Sequence, residues 1–300
     1  MENPSTLIFI GNGFDRALGF KTSYSNFYED DIFKNLPKDN LFAEHIKQSK
    51  NKTDRWSDLE ETLSNYSYAS LNLVKPGGVA RFKQEYEAIQ NALYDYLDSI
   101  SNDRSEEEER FLPMKTLIQD WIKEDPNYRF YTFNYTLFLE RILRLINPNQ
   151  TPNVIHLHGR VSAVTKASGL VLGIDKSMNT HSECRFLFKA DQPEYNNFGV
   201  ETAVQNAKRI IFFGCSMGVS DTWYFDMIFK NKNIQVVEIY DKEQEKMYEF
   251  NSKVEHFSNE KLDEYREHTR LVYYDSSEIY SLANKRTGIN LNHPEYLQFL

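Results

Sequence analysis

Cysteine is scarce in this chain, with two residues, Cys184 and Cys215, among 300. Two thiols do not make a disulfide framework, and neither has a partner at zinc-ligand spacing. They read as buried thiols of a reducing compartment. Long apolar runs are missing too. No stretch approaches the roughly 20 residues that cross a bilayer. The first apolar run, Leu7 to Ile10, is far too short for a secretory leader and has no basic segment before it. These features predict a cytoplasmic protein with no membrane partner. Basic charge is also in deficit, since 35 Lys and Arg against 44 Asp and Glu leave a net charge of −9. A general affinity for nucleic-acid backbone is therefore not expected. Core-forming material is plentiful: hydrophobic residues make up 40% and aromatics 14%. A chain of this length supports one large domain or a domain with a sizeable insertion.

The apolar runs alternate with helical patterns. Thr6–Ile10 is β-prone and ends at glycine, which predicts a buried strand. Further strands are expected at Tyr128–Phe133, Val154–His158, Leu170–Gly173, Ile210–Phe213, Ile234–Tyr240 and Arg270–Tyr274. Helices are expected at Leu137–Ile146, Ala203–Lys208 and Asp221–Phe229. Ser23 to Phe42, aromatic and acidic, reads as short helices lining whatever the first loop holds. Residues 58–125 carry apolar positions at helical spacing, broken once at Lys75-Pro76-Gly77-Gly78, with a solvated loop at Asn102–Arg110. This block reads as a helical insertion between two strands of a single domain, 1–300. The segment from Lys176 to Val200 has no clear period. The expected fold is α/β, Rossmann-like, with a mostly parallel sheet covered on both faces.

Ligands of such sheets gather at the carboxyl ends of the strands. Here those ends carry Gly11-Asn12-Gly13-Phe14-Asp15, Asn134-Tyr135-Thr136, His158-Gly159-Arg160, Gly214-Cys215-Ser216 and Asp241. The glycine pair suits a phosphate cradle as well as it suits a tight strand-to-helix turn, and no third glycine completes a dinucleotide fingerprint. Asp15 by itself reads as a helix cap. Asn134 by itself reads as a loop-bonding residue that could also orient a ribose hydroxyl or a water. His156 and His158 alternate along a strand and are expected on one side of it. Nothing beside them completes a metal site, so no metal is expected. His156 reads as a satisfied structural histidine and His158 as the candidate general base. Glu238 and Asp241 are candidate ribose acceptors. In Trp56-Ser57-Asp58-Leu59-Glu60, Ser57 or Asp58 is expected to cap a helix, in preference to Glu60 entering the cleft.

Read together, G-N-G-F-D-R-A-L-G-F-K-T-S-Y-S-N-F (Gly11–Phe27), F-N-Y-T (Phe133–Thr136), H-L-H-G (His156–Gly159) and F-G-C-S (Phe213–Ser216) resemble the AbiH-type phage abortive-infection family, over about Leu7 to Asp241. The same order is similar, more distantly, to the sirtuin fold. The four-cysteine zinc module of sirtuins has no counterpart here, and Thr136 stands where their pattern has Asp. The resemblance thus implies an antiphage effector that hydrolyses NAD to nicotinamide and ADP-ribose rather than a deacylase. It assigns Asn134 and His158 to catalysis. It assigns Gly11, Asn12, Gly13, Phe14, Asp15, Thr22, Gly214, Ser216 and Asp241 to NAD binding, with Asp15 either fixing the loop or approaching the ribose. NAD is the implied substrate, with no metal cofactor. A phage-derived trigger or protein partner is implied, and self-association is compatible with it. The alternative is a non-catalytic module that senses NAD or ADP-ribose. A nuclease is disfavoured, because no close cluster of carboxylates is evident.

Overall fold

The computed structural model describes residues 4–48, 56–69, 75, 77–104, 107–162, 169–242, 246–276 and 289–290. Its centre is a sheet whose strands are buried on both faces, which is why they read as near-continuous apolar runs. The strands are β1 (Thr6–Ile10), β2 (Tyr128–Thr132), β3 (Val154–His156), β4 (Arg209–Phe213), β5 (Val236–Asp241), β6 (Arg270–Asp275) and β7 (Ile289–Asn290). They run in the order β3-β2-β1-β4-β5-β6-β7. All pairs are parallel except β6 with β7. This is the α/β, Rossmann-like arrangement expected. In it the strand order reverses between β1 and β4, and that reversal opens a crevice at the carboxyl ends of the two strands.

Alternate residues of each strand feed opposite layers. Leu7, Phe9, Phe212 and Ile239 pack with α9 (Val200–Asn206), α10 (Thr222–Phe229), α11 (Lys246–Ser258) and α12 (Leu262–His268). Ile8, Ile10, Phe213 and Tyr240 pack on the other face with α1 (Asn12–Ala17), α7 (Glu107–Glu124) and α8 (Phe138–Ile146). A third apolar cluster joins α2 (Tyr24–Glu29), α3 (Asp31–Lys34), α4 (Leu41–Gln48), α5 (Trp56–Ala69) and α6 (Gly78–Ser101). Residues 58–125 therefore divide between layers. Helices α5 and α6 belong to the third cluster, while Trp121 of α7 lies under the sheet and donates to the Tyr240 hydroxyl at 3.2 Å.

One strand expectation fails and another is cut short. Leu170–Gly173 forms no strand, only an isolated bridge at Leu170, with a second at the neighbouring Ile174. Side chains take the carbonyls that a neighbouring strand would have bonded. Gln90 donates to Leu170 O, Tyr135 to Val171 O and Tyr86 to Leu172 O. Strand β3 stops at His156, and His158 sits beyond it in an isolated bridge to Tyr195. Pro76 of the expected helix break, and the side chains of Ser57 and Asp58 offered as caps, lie outside the described residues.

Candidate functional site

A cavity opens at the reversal between β1 and β4. Gly11, Asn12, Gly13 and Asp15 follow β1; Asn134 and Thr136 follow β2; His158 follows β3; Gly214 and Ser216 follow β4; Asp241 ends β5. All line the cavity, as does Thr22. The polar strand ends therefore do converge. Phe14 does not reach the cavity, because its ring is buried against Phe213, edge to face at 5.6 Å. Of the short helices between Ser23 and Phe42, none contributes a lining residue. Glu238 is also elsewhere. It is buried within β5 and bonded by Arg209 at 2.6 and 2.7 Å.

The two glycine turns are halves of one contact. Gly13 N–H donates to Gly214 O at 3.0 Å, and Gly11 N–H donates to Phe213 O at 2.9 Å. A Cβ on Gly214, whose φ is +61°, would fall 2.4 Å from Gly13 Cα. Only glycine on both sides permits this approach. The donors expected to cradle an anion at Gly11 and Gly13 are thus committed to β4. Among the described residues, the N–H groups of Cys215, Ser216 and Met217 have no acceptor. They lie between two residues of positive φ, Gly214 and Met217 (+50°), where successive amides can face an anion. The Lys253 ammonium donates to the Ser216 carbonyl beside them. The Cys215 thiol is not a nucleophile in waiting: burial, and Asp241 after it, push its pKa well above the ordinary range.

Asp15 is no helix cap. It lies inside α1, buried, and accepts from Asn134 Nδ2 at 2.8 Å and Thr136 Oγ1 at 2.6 Å. Burial raises its pKa to about 7, against the lowering effect of those two hydrogen bonds. Asn134 Nδ2 also donates to Gly11 O at 3.0 Å. Both amide hydrogens are therefore used, the amide cannot turn over, and its Oδ1 is the atom left for a ligand. Thr22 supports the loop from behind, donating to Asn12 Oδ1 at 2.6 Å.

The two histidines part company. His156 bonds Glu140 Oε1 at 2.6 Å and the Asn134 carbonyl at 3.0 Å, so it holds the Asn134 turn in place. His158 lies between the rings of Phe133 and Tyr195, with centroids at 5.4 and 6.2 Å. Its Nε2 is 3.0 Å from Asp221 Oδ1, close but not aligned as a hydrogen bond. Burial is the largest influence on the His158 imidazole and lowers its pKa; Asp221 pulls it up, Lys189 pushes it down again, and the outcome is a lowered pKa. The ring is thus neutral at pH 7. The carboxylate favours the proton on Nε2, which leaves Nδ1 as the basic nitrogen.

Behind His158 lies a charged cluster that the sequence pattern did not reveal. Lys189, buried, reaches Glu60 Oε1 at 2.5 Å, Ser220 Oγ at 2.9 Å and Asp221 Oδ1 at 3.0 Å. Ser220 in turn donates to Glu60 Oε2. Glu60 therefore points inward and lines the cavity, contrary to the expectation for that group. Burial disfavours the Asp221 carboxylate, but Lys189 and then His158 outweigh it and hold the pKa far below the usual range. Burial raises the pKa of Glu60, against the pull of Lys189. Lys189 falls in the stretch without periodicity, and Asp221 read as a helix start. No local pattern marked either.

Residues 7–241 match the family described as bacteriophage abortive infection AbiH. The match covers most of the chain, and the chain belongs to that family. Its role is accordingly in abortive infection of bacteriophage. No curated protein matches the chain.

Proposed function

We propose that this member of the AbiH family acts in abortive infection by hydrolysing NAD to nicotinamide and ADP-ribose. The observation that supports it most is the meeting of the fixed Asn134 amide and the His158–Asp221 pair in one cavity at the strand-order reversal. The pyrophosphate would lie on the amides of 215–217 and Lys253. The nicotinamide ribose would lie between Asn134 and His158. Nicotinamide leaves as a neutral ring, because its nitrogen takes the electron pair of the breaking bond to ribose C1′. Water adds to that carbon as it becomes oxocarbenium-like. Asn134 Oδ1 would accept from the water or a ribose hydroxyl, and His158 Nδ1 would take the proton; general-base help of this kind contributes about 100- to 10,000-fold. The helical segment 58–125 would serve as the regulated wall of the cleft, through Glu60.

Incubation of the purified protein with NAD, alone and with extract of phage-infected cells, with nicotinamide and ADP-ribose quantified by chromatography, tests this. Equal release of both products by wild type, with at least about a hundredfold loss in Asn134→Ala and His158→Ala, is expected. NAD that stays bound and intact through long incubation supports the sensing module instead.

A further inference from the structure

We propose that Lys189 is a positioning residue: through Asp221 it sets the protonation and orientation of His158, and through Glu60 it ties that setting to helix α5. The inference rests on the reading of His158 as the base of the cleft. The geometry is a chain of buried charges. Glu60 and Asp221 both contact the Lys189 ammonium, at 2.5 and 3.0 Å, and the Asp221 oxygen that meets Lys189 also meets His158 at 3.0 Å. A lone buried Asp–His pair would draw a proton onto the imidazole and leave a cation without basicity. An ammonium on the far side of the carboxylate counters that pull, so the imidazole stays neutral while Asp221 stays ionised. The titratable groups facing His158 are Asp221, Lys189 behind it and the flanking Tyr195; those facing Lys189 are Glu60 and Asp221. Glu60 stands on α5, whereas Ser220 and Asp221 stand just before α10. Removing α5 from its seat would strip one carboxylate from Lys189 and leave the ammonium to Asp221 alone.

The readout is the titration of the His158 imidazole, followed by long-range proton–nitrogen NMR of the full chain, independent of any turnover. In Lys189→Met the His158 pKa should rise, by roughly one pH unit. In Asp221→Asn it should fall. Two shifts of opposite sign are not produced by loosened packing alone. Because Lys189→Met leaves two carboxylates facing each other, Lys189→Met with Glu60→Gln serves as the charge-balanced form, with the same rise expected. An unchanged His158 titration in the folded double variant would overturn the proposal. So would loss of folding by that variant, which would make the role of Lys189 structural only. Opposite shifts without NAD turnover in the wild type, even with extract of phage-infected cells present, would uphold the positioning role while removing the NAD reading. Turnover with unmoved titrations would do the reverse.

Discussion

Asp15 concentrates the tension of the cleft in one side chain. It is buried, bonded by two donors that favour its charge, and still brought to a pKa of about 7 by desolvation, against an ordinary value of 3.8. The folded-state pKa lies above the unfolded one. The stability its neutral form contributes is therefore full below about pH 4 and lost as pH rises to about 7. The loss is on the order of 4 kcal/mol. Asp15→Asn removes this dependence. Urea unfolding across pH 4 to 8 should show wild type losing stability relative to Asp15→Asn through that window, and a parallel pair of curves would contradict the assignment. The sequence offered Asp15 as a cap because Asp at a strand-to-helix turn is a favoured N-cap residue. Its true partners, Asn134 and Thr136, are more than a hundred positions away. Lys189 and Asp221 were hidden for the same reason, and Glu60 was considered for the cleft but set aside. A buried ion cluster has no period and no local spacing. By contrast Asn134 and His158 were legible, because strand ends can be located and the residues that follow them enumerated.

Strands of a parallel sheet are easy to see because both faces are apolar, and six of them fall within two residues of their expected places. The failure at 170–173 has a definite cause. An apolar run becomes a strand only if another backbone is there to bond it, and Tyr86, Gln90 and Tyr135 bond this one instead. The turns after β1 and β4 show the same limit. Each glycine motif was read separately, yet their function is mutual: the turns touch through Gly13 and Gly214. Gly214→Ala sets a Cβ against the Gly13 backbone at a positive φ and should cost roughly 2 kcal/mol or more. Gly19 also has a positive φ, +83°, but nothing lies within 4 Å of a Cβ there. Gly19→Ala should cost only about 1 kcal/mol of backbone strain. Denaturant unfolding of the two variants separates contact from strain; equal losses would mean that the turns do not need each other.

For the molecule as a whole, the strand order puts the reversal between β1 and β4, and Asp15, Asn134, Thr136, His158, Ser216 and Asp241, which follow or end β1 to β5, meet there. The α/β class and this meeting place were readable from the alternation of apolar runs with helices. The division of 58–125 between a separate helical cluster and the underside of the sheet was not, since one helical period describes both. Under the proposed NAD hydrolysis the cleft would have to stay silent until phage arrives, and the buried link from α5 through Lys189 to His158 is suited to that control. The most direct measurement is cellular NAD and ADP-ribose, followed through phage infection in cells carrying wild type, Asn134→Ala or His158→Ala. The account predicts that NAD falls and ADP-ribose rises only with wild type, and that protection is lost in both variants. Protection by wild type with NAD unchanged before and during infection would contradict it.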